Sequence, residues 1–269
     1  MVDRLWVALV LVFLLPVVLV LNSKSGSGYA GGETAPLLVG RQALDSLTDA
    51  SRNRMLLVNL WATWCTPCIG ELPHLAEVRD SLFPAAEVVA VSIGDPNIES
   101  VERFHDRAGL ALPMVWLDPD EAQALRDHWQ IPDVLPVTLA FGPDGGELSR
   151  VAGARSREFF FTMAAGDAPD SAGGGEGPDR EEEVLHVNVV GDPDSTGTRQ
   201  LLQEARRLAG AEGVDLFDPS DPRDSAAIDS LLLPRMDVPY AQPCVGLACG
   251  RPCTSPEMLA EVSASLLGQ

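Results

Sequence analysis

Two cysteines separated by two residues are the strongest chemical signal in this 269-residue sequence. Cys65 and Cys68 lie in the run Trp64-Cys65-Thr66-Pro67-Cys68, which follows an apolar run and opens a stretch with helical spacing. At a helix N-terminus, unpaired N–H groups and the helix dipole stabilise a thiolate, the attacking form of cysteine. This context predicts thiol–disulfide exchange, with Cys65 as the nucleophile and Cys68 as the thiol that resolves the mixed disulfide.

Residues near the pair fit the same chemistry. Pro67 fixes φ early in the helix and withholds one N–H, which stiffens the ring that the two cysteines close. Trp64 is expected to cover the site and to offer substrates an apolar surface. Glu71 follows Cys68 by three residues and shares its helix face, so its carboxylate is a candidate to accept or deliver a thiol proton. The alternative role of Glu71 is to complement the helix dipole.

A half zinc site and a structural disulfide are the competing interpretations of the C-x-x-C. A tetrahedral zinc site needs four ligands, and the sequence has no second C-x-x-C. The other three cysteines all lie beyond residue 240, in another segment. Redox chemistry is therefore the better interpretation, and we expect neither a metal nor a cofactor.

Alternating strand and helix patterns around the cysteines indicate an α/β domain over residues 51–165. Residues 55–62 form a short, mostly apolar run that predicts a buried strand leading into the C-x-x-C. Further strands are predicted at 88–93, 114–117, 137–141 and 148–152, and helices at 67–82, 97–108, 121–129 and 157–164.

The flanking segments differ in composition from this domain. Residues 23–50 are predicted to contain a polar, Gly-rich tether and the start of the domain, and residues 166–183 to form an acidic, Gly-rich linker. Residues 184–269 have a strand–helix order typical of a small α/β accessory domain. Within it, residues 239–252 are predicted to be a Cys- and Pro-rich loop.

The N-terminus predicts an extracytoplasmic location. Residues 5–21 form a 17-residue run without charged side chains, so residues 1–22 are expected to be an uncleaved transmembrane signal anchor. A cleaved signal peptide is the alternative. The soluble part would then lie on the periplasmic side of the inner membrane, where disulfides are permitted. The net charge of -20 argues against nucleic acid as a partner.

Residues 33–165 resemble the thioredoxin superfamily, and specifically the membrane-anchored TlpA-like and ResA-like disulfide reductases, which include cytochrome c maturation thioredoxins. The resemblance rests on the strand before the WCTPC centre, on Glu71-Leu72-Pro73, on the run 134–138 and on Pro143-Asp144-Gly145. It implies a thioredoxin-like central sheet flanked by helices. It also implies that Pro136 is a cis-proline, in a loop that faces the C-x-x-C and pairs with the substrate backbone. The residues expected to contact substrate are Trp64, Thr66, Pro67, Leu135 and Pro136.

The C-terminal cysteines are Cys244, Cys249 and Cys253. They are one ligand short of a zinc site unless His186 or Asp237 contributes. A disulfide from Cys244 to Cys249 or to Cys253 is the better expectation in an oxidising compartment, and it would leave one free thiol. The segment resembles the tail of YyaL-type (spermatogenesis-associated-like) proteins, which combine a thioredoxin domain with a hairpin-glycosidase-like domain. That resemblance implies architecture rather than activity.

Together these features predict a membrane-tethered disulfide reductase whose C-terminal domain binds a substrate or relays electrons. Its expected partners are exported disulfide proteins, with apocytochrome c as one candidate, and a membrane thiol-electron donor. The alternatives are a disulfide oxidant or isomerase, and a non-catalytic adaptor built on the thioredoxin fold.

Overall fold

The computed structural model describes residues 34–167, 184–231 and 233–268. The predicted anchor and nearly all of the predicted acidic linker lie outside these ranges. No helix in the described ranges is both long enough and apolar enough to cross a bilayer. The described elements all belong to one compact unit, residues 31–269.

Strands and helices alternate through most of the described chain. In order, they are β1 Leu37–Val39, α1 Arg41–Ala50, β2 Met55–Trp61, α2 Thr66–Leu82, β3 Ala86–Ser92, α3 Ile98–Ala108, β4 Met114–Trp116, α4 Pro119–Trp129, β5 Val134–Leu135, β6 Val137–Phe141, β7 Glu147–Ala152, α5 Arg157–Ala164, β8 Leu185–Val190, α6 Thr196–Ala209, β9 Val214–Phe217, α7 Pro222–Ser230, β10 Tyr240–Val245, β11 Ala248–Gly250 and α8 Pro256–Leu266.

The first sheet has the order β1-β4-β3-β2-β6-β7. Its first four strands are parallel to one another, while β6 and β7 are antiparallel to their neighbours. Strands β2 and β3 are mostly apolar because helices cover both faces of a largely parallel sheet, and both are almost wholly buried. This mixed α/β sheet is thioredoxin-like, as predicted, and it brings the C-terminal end of β2 to the start of α2.

The start of the domain, expected within residues 23–50, consists of β1 and α1. Leu37 to Val39 pair with Met114 to Trp116 as the edge strand β1, and Leu44 of α1 is buried in the core. A three-residue strand carries too little periodicity to be recognised in sequence. Its conformation depends instead on the hydrogen bonds that β4 provides.

The second sheet has the order β5-β11-β10-β8-β9 and contains strands from both halves of the chain. The predicted loop over residues 239–252 is wrong, because it contains the hairpin β10–β11. Pro243 disfavoured a strand prediction because it lacks an N–H. It is tolerated because the β10–β11 ladder ends at Cys244, so Pro243 pairs only with Val187 of β8.

Candidate active site

Cys65 is the N-cap residue of α2, and Cys68 lies in the first turn of the same helix. The Cys65 Sγ accepts a hydrogen bond from the backbone N–H of Cys68 at 3.3 Å, and the two cysteines are joined as a disulfide. Thus a backbone N–H at the start of the helix points toward the first sulfur, where it stabilises negative charge. Both cysteine side chains are completely buried.

Glu71 is held beneath this pair, on the helix face that sequence spacing predicted. Its Oε1 accepts from Asn59 Nδ2 at 2.7 Å, and its Oε2 accepts from the backbone N–H of Arg155 at 3.1 Å. Burial raises the pKa of the Glu71 carboxyl to about 8, although the hydrogen bonds from Asn59 and Arg155 act in the opposite direction. A carboxyl that titrates in this range suits proton exchange with a thiol.

Leu135, the last residue of β5, and Pro136 form the loop that joins β5 to β6. Their peptide bond is cis, as the family resemblance implied. Val137, the next residue, pairs with Leu60 near the end of β2, so the loop lies at the same end of the sheet as the C-x-x-C. Both Leu135 and Pro136 are buried.

Asp95 is a site residue that sequence reasoning missed. It follows β3, and its carboxylate accepts hydrogen bonds from the Thr63 backbone N–H and hydroxyl and from the Ser92 hydroxyl. Burial raises its pKa above the ordinary value. The adjacent Gly94 carbonyl accepts from Trp64 Nε1 at 2.8 Å. The loop after β3 therefore holds Thr63 and Trp64, just before Cys65, in place. The only sequence feature that indicated a role for Asp95 was its position as a polar residue at the end of a strand.

The predicted substrate surface is partly covered in this structure, because the chain's own C-terminal segment contacts it. The Thr66 hydroxyl donates to the Leu231 carbonyl, and Leu135 pairs with Cys249 of β11. Trp64 is 6% exposed and lies in the core rather than forming an exposed apolar surface, because its indole is anchored to the Gly94 carbonyl. Pro67 is half-buried.

The three C-terminal cysteines separate into a pair and a single thiol. Cys244 and Cys249 form a disulfide across the hairpin β10–β11, one of the two pairings left open by the sequence. Cys253 is a buried free thiol, and burial raises its pKa to about 12. Among the described residues, no cluster of three or more His, Cys, Asp or Glu side chains is arranged to hold a metal.

Comparisons with known proteins agree with this geometry. Residues 38–146 match the model of the AhpC/TSA family. The thiol-disulfide oxidoreductase ResA of Geobacillus thermodenitrificans is 34% identical over 139 residues, which cover 48% of this chain and 73% of that protein. The thiol:disulfide interchange protein CycY of Rhizobium leguminosarum bv. viciae is 29% identical over 131 residues, covering 48% and 67%.

Solved structures were also matched, among them StoA of Bacillus subtilis. It is 22% identical, with a TM-score of 0.37, and the match covers 42% of this chain and 83% of StoA. The extent and identity of the ResA match, together with the C-x-x-C at a helix N-terminus, determine the family. The chain belongs to the ResA family of thioredoxin-like thiol-disulfide oxidoreductases.

Proposed function

We propose that this chain reduces disulfides of exported proteins on the outer side of the cytoplasmic membrane. The observation that carries the proposal is the juxtaposition of the Cys65–Cys68 pair at the start of α2 with the buried carboxyl of Glu71. The helix start stabilises an attacking thiolate, and the carboxyl provides a proton acceptor in an apolar interior.

In the proposed mechanism, the Cys65 thiolate attacks one sulfur of a substrate disulfide, and the other substrate sulfur leaves as a thiolate. Glu71 then accepts the proton of Cys68, and the Cys68 sulfur attacks Cys65 in the mixed disulfide. The reduced substrate leaves, and Cys65 and Cys68 remain as a disulfide. An external dithiol donor in the membrane is needed to reduce this disulfide for the next cycle.

The proposed location rests on one sequence feature and one structural feature. The apolar run at residues 5–21 is long enough for a signal anchor, and a pair of disulfides suits an oxidising compartment. In this proposal residues 1–22 hold the chain at the membrane, and the C-terminal segment, which resembles the YyaL-type tail, is an accessory module. Apocytochrome c is one candidate substrate, given the resemblance to cytochrome c maturation thioredoxins.

The direction of electron flow separates the reductase from its nearest alternative, a disulfide oxidant. We expect the Cys65–Cys68 couple to have a reduction potential near that of thioredoxin, about -270 mV, rather than near about -120 mV as in a strong oxidant. The measurement is a glutathione redox titration of the full chain carrying Cys244→Ser and Cys249→Ser, so that a single couple is followed. A value near the oxidant's potential would overturn the reductase assignment.

A non-catalytic adaptor is the alternative from another class. A scaffold that only presents a binding surface has no need of a dithiol with a buried proton acceptor beside it. A chain in which the Cys65–Cys68 pair neither accepts electrons from dithiothreitol nor donates them to a disulfide would support the adaptor.

A further inference from the structure

The C-terminal hairpin lies directly on the cis-proline loop of the active site. Strand β11 pairs antiparallel with β5, with Cys249 opposite Leu135 and Gly250 opposite Val134. An ion pair of 2.6 Å between Arg251 and Asp133 continues this contact. The Cys244–Cys249 disulfide is therefore carried by the strand next to the loop that lies at the same end of the sheet as Cys65 and Cys68.

The register also determines which way the second disulfide faces. A Cβ atom on Gly250 would meet Val262 of α8, so Gly250 faces that helix. Successive residues of a strand point to opposite faces, which directs Cys249 away from α8. Opposite residues in a ladder share a face, with Cβ atoms about 4.5–5.5 Å apart. Cys249 therefore lies beside Leu135, which belongs to the hydrophobic cluster that contains Cys65 and Cys68.

Two further contacts close the C-terminal segment over the first disulfide. The Thr66 hydroxyl donates to the Leu231 carbonyl, and the Ala154 N–H donates to the carbonyl of Leu247 in the hairpin turn. Cys65 and Cys68 are completely buried in this arrangement, so an external dithiol or protein disulfide reaches Cys65 only when this segment moves away. Cys244 is half-buried, beside the exposed turn residue Leu247, so it is the more accessible sulfur position.

A histidine accompanies the second disulfide. His186 of β8 lies opposite Cys244 in the ladder, and its Nε2 is 3.1 Å from Oδ2 of Asp215. A protonated imidazole next to a cysteine stabilises the thiolate. The Cys244 sulfur thus has a group beside it that would favour its departure as a thiolate.

We propose that Cys244 and Cys249 form a second redox-active pair that receives electrons from Cys65 and Cys68 within the same chain. The inference rests on the proposed function and names the first acceptor of its electrons. It makes the C-terminal segment an internal substrate that passes reducing equivalents from a buried dithiol to the protein surface.

The transfer balances within the chain. The Cys65 thiolate attacks Cys249 Sγ, the Cys244–Cys249 bond breaks, and Cys244 leaves as a thiolate that takes up a proton. Cys68, having given its proton to Glu71, attacks Cys65, and Cys249 leaves and is protonated in turn. Two electrons and two protons pass to the second pair. An external dithiol supplies the first pair, and an external protein disulfide oxidises the second.

Cys253 takes no part in this exchange. Its side chain is fully buried, and its thiol donates to the Arg251 carbonyl at 3.2 Å. A thiol whose pKa is raised to about 12 supplies almost no thiolate at neutral pH. It therefore serves as an internal control for nonspecific reaction.

The test leaves one cysteine of each pair in the full chain. The Cys68→Ser/Cys244→Ser variant is placed in a glutathione redox buffer. We expect a disulfide between Cys65 and Cys249 of the same chain. This disulfide should form about a hundredfold more readily than a disulfide between two chains, because the two thiols are held together. Peptide mapping by mass spectrometry under non-reducing conditions identifies the link. The matched control, Cys65→Ser/Cys244→Ser, retains Cys68 and Cys249 and is expected to form no such link.

The outcomes separate this proposal from the function on which it rests. If Cys65 takes up glutathione but does not link to Cys249, the relay is wrong and the oxidoreductase assignment stands. If Cys65 reacts with neither glutathione nor Cys249, both the relay and the oxidoreductase assignment are wrong.

A second measurement does not depend on the folding of the double variants. One equivalent of dithiothreitol is added to the oxidised native chain and to the Cys65→Ser chain. Cys244 and Cys249 are expected to be reduced at least about tenfold faster in the native chain, since they receive electrons through Cys65. Equal rates in the two chains would overturn the relay.

Discussion

Replacement of Cys65 by serine is expected to lower the rate of disulfide reduction by about a thousandfold or more, a loss of roughly 4 kcal/mol in transition-state stabilisation. A serine hydroxyl at the N-cap of α2 preserves the local hydrogen bond to the Cys68 N–H. It does not ionise near neutral pH, however, so it cannot supply the thiolate that attacks a disulfide. The measurement is the reduction of insulin disulfides by the full chain with dithiothreitol as the donor.

The matched control for this prediction is Cys253→Ser. Cys253 is also a buried cysteine, but it lies outside both disulfides and its raised pKa keeps it protonated. We expect that variant to reduce insulin at the native rate. If the Cys65→Ser chain keeps native activity, or the native chain is as inactive as the variant, the assignment of Cys65 as the nucleophile is wrong.

Replacement of Glu71 by glutamine is expected to slow exchange by about a hundredfold, the usual contribution of a positioned proton acceptor. In the native chain, the fraction of Glu71 able to accept a proton increases as the pH rises through about 8. The resolving attack by Cys68 should therefore accelerate over that range. In the glutamine variant this titration disappears, and only the direct ionisation of Cys68 remains. Single-turnover rates of mixed-disulfide resolution between pH 6 and 10 measure both effects.

The same substitution has an opposite effect on stability. The Glu71 pKa is about 8 in the folded chain against the ordinary 4.5, so the folded state holds a proton that the unfolded state releases between these values. The contribution of this group to stability consequently falls as the pH rises from about 4.5 to 8, by an amount of order 5 kcal/mol. Glutamine avoids this cost because it is never charged.

Glutamine can also satisfy the hydrogen bonds of the site. The Asn59 Oδ1 atom has no partner and can rotate toward a glutamine amide. We therefore expect Glu71→Gln to be more stable than the native chain by about 2–5 kcal/mol at pH 9 and nearly equal to it at pH 5. Urea unfolding at the two pH values measures this difference. Glu77→Gln, on an exposed position of the same helix, should change neither stability nor rate. Lower stability of Glu71→Gln at pH 9 would contradict a buried carboxyl with a raised pKa.

The parts of the site that were predictable from sequence are those determined by local chemistry. Cys65 and Cys68 lie at a strand-to-helix junction, which an apolar run followed by helical spacing identifies. Glu71 follows from helical periodicity alone. The cis bond before Pro136 came from the family resemblance, since most X–Pro bonds in folded proteins are trans.

The parts that were not predictable depend on long-range pairing. Leu135 and Cys249 are opposite one another only because the C-terminal hairpin adds to a two-residue strand, and such a strand has no periodicity to detect. Asp95 gains its role from hydrogen bonds to Thr63, which is distant in sequence. The sequence predicted a C-terminal domain separate from the active site, whereas in the fold the C-terminal segment contacts the active site.

In the proposed mechanism, Cys65 attacks the substrate disulfide and Cys68 resolves the mixed disulfide. The most direct measurement of these two roles uses two full-length chains that both carry Cys244→Ser and Cys249→Ser, one also with Cys68→Ser and the other also with Cys65→Ser. Each is exposed to glutathione disulfide and mapped by mass spectrometry after acid quenching. We predict a stable glutathione adduct on Cys65 in the first chain and little adduct on Cys68 in the second. Equal adducts on the two cysteines, or none on Cys65, would contradict the account.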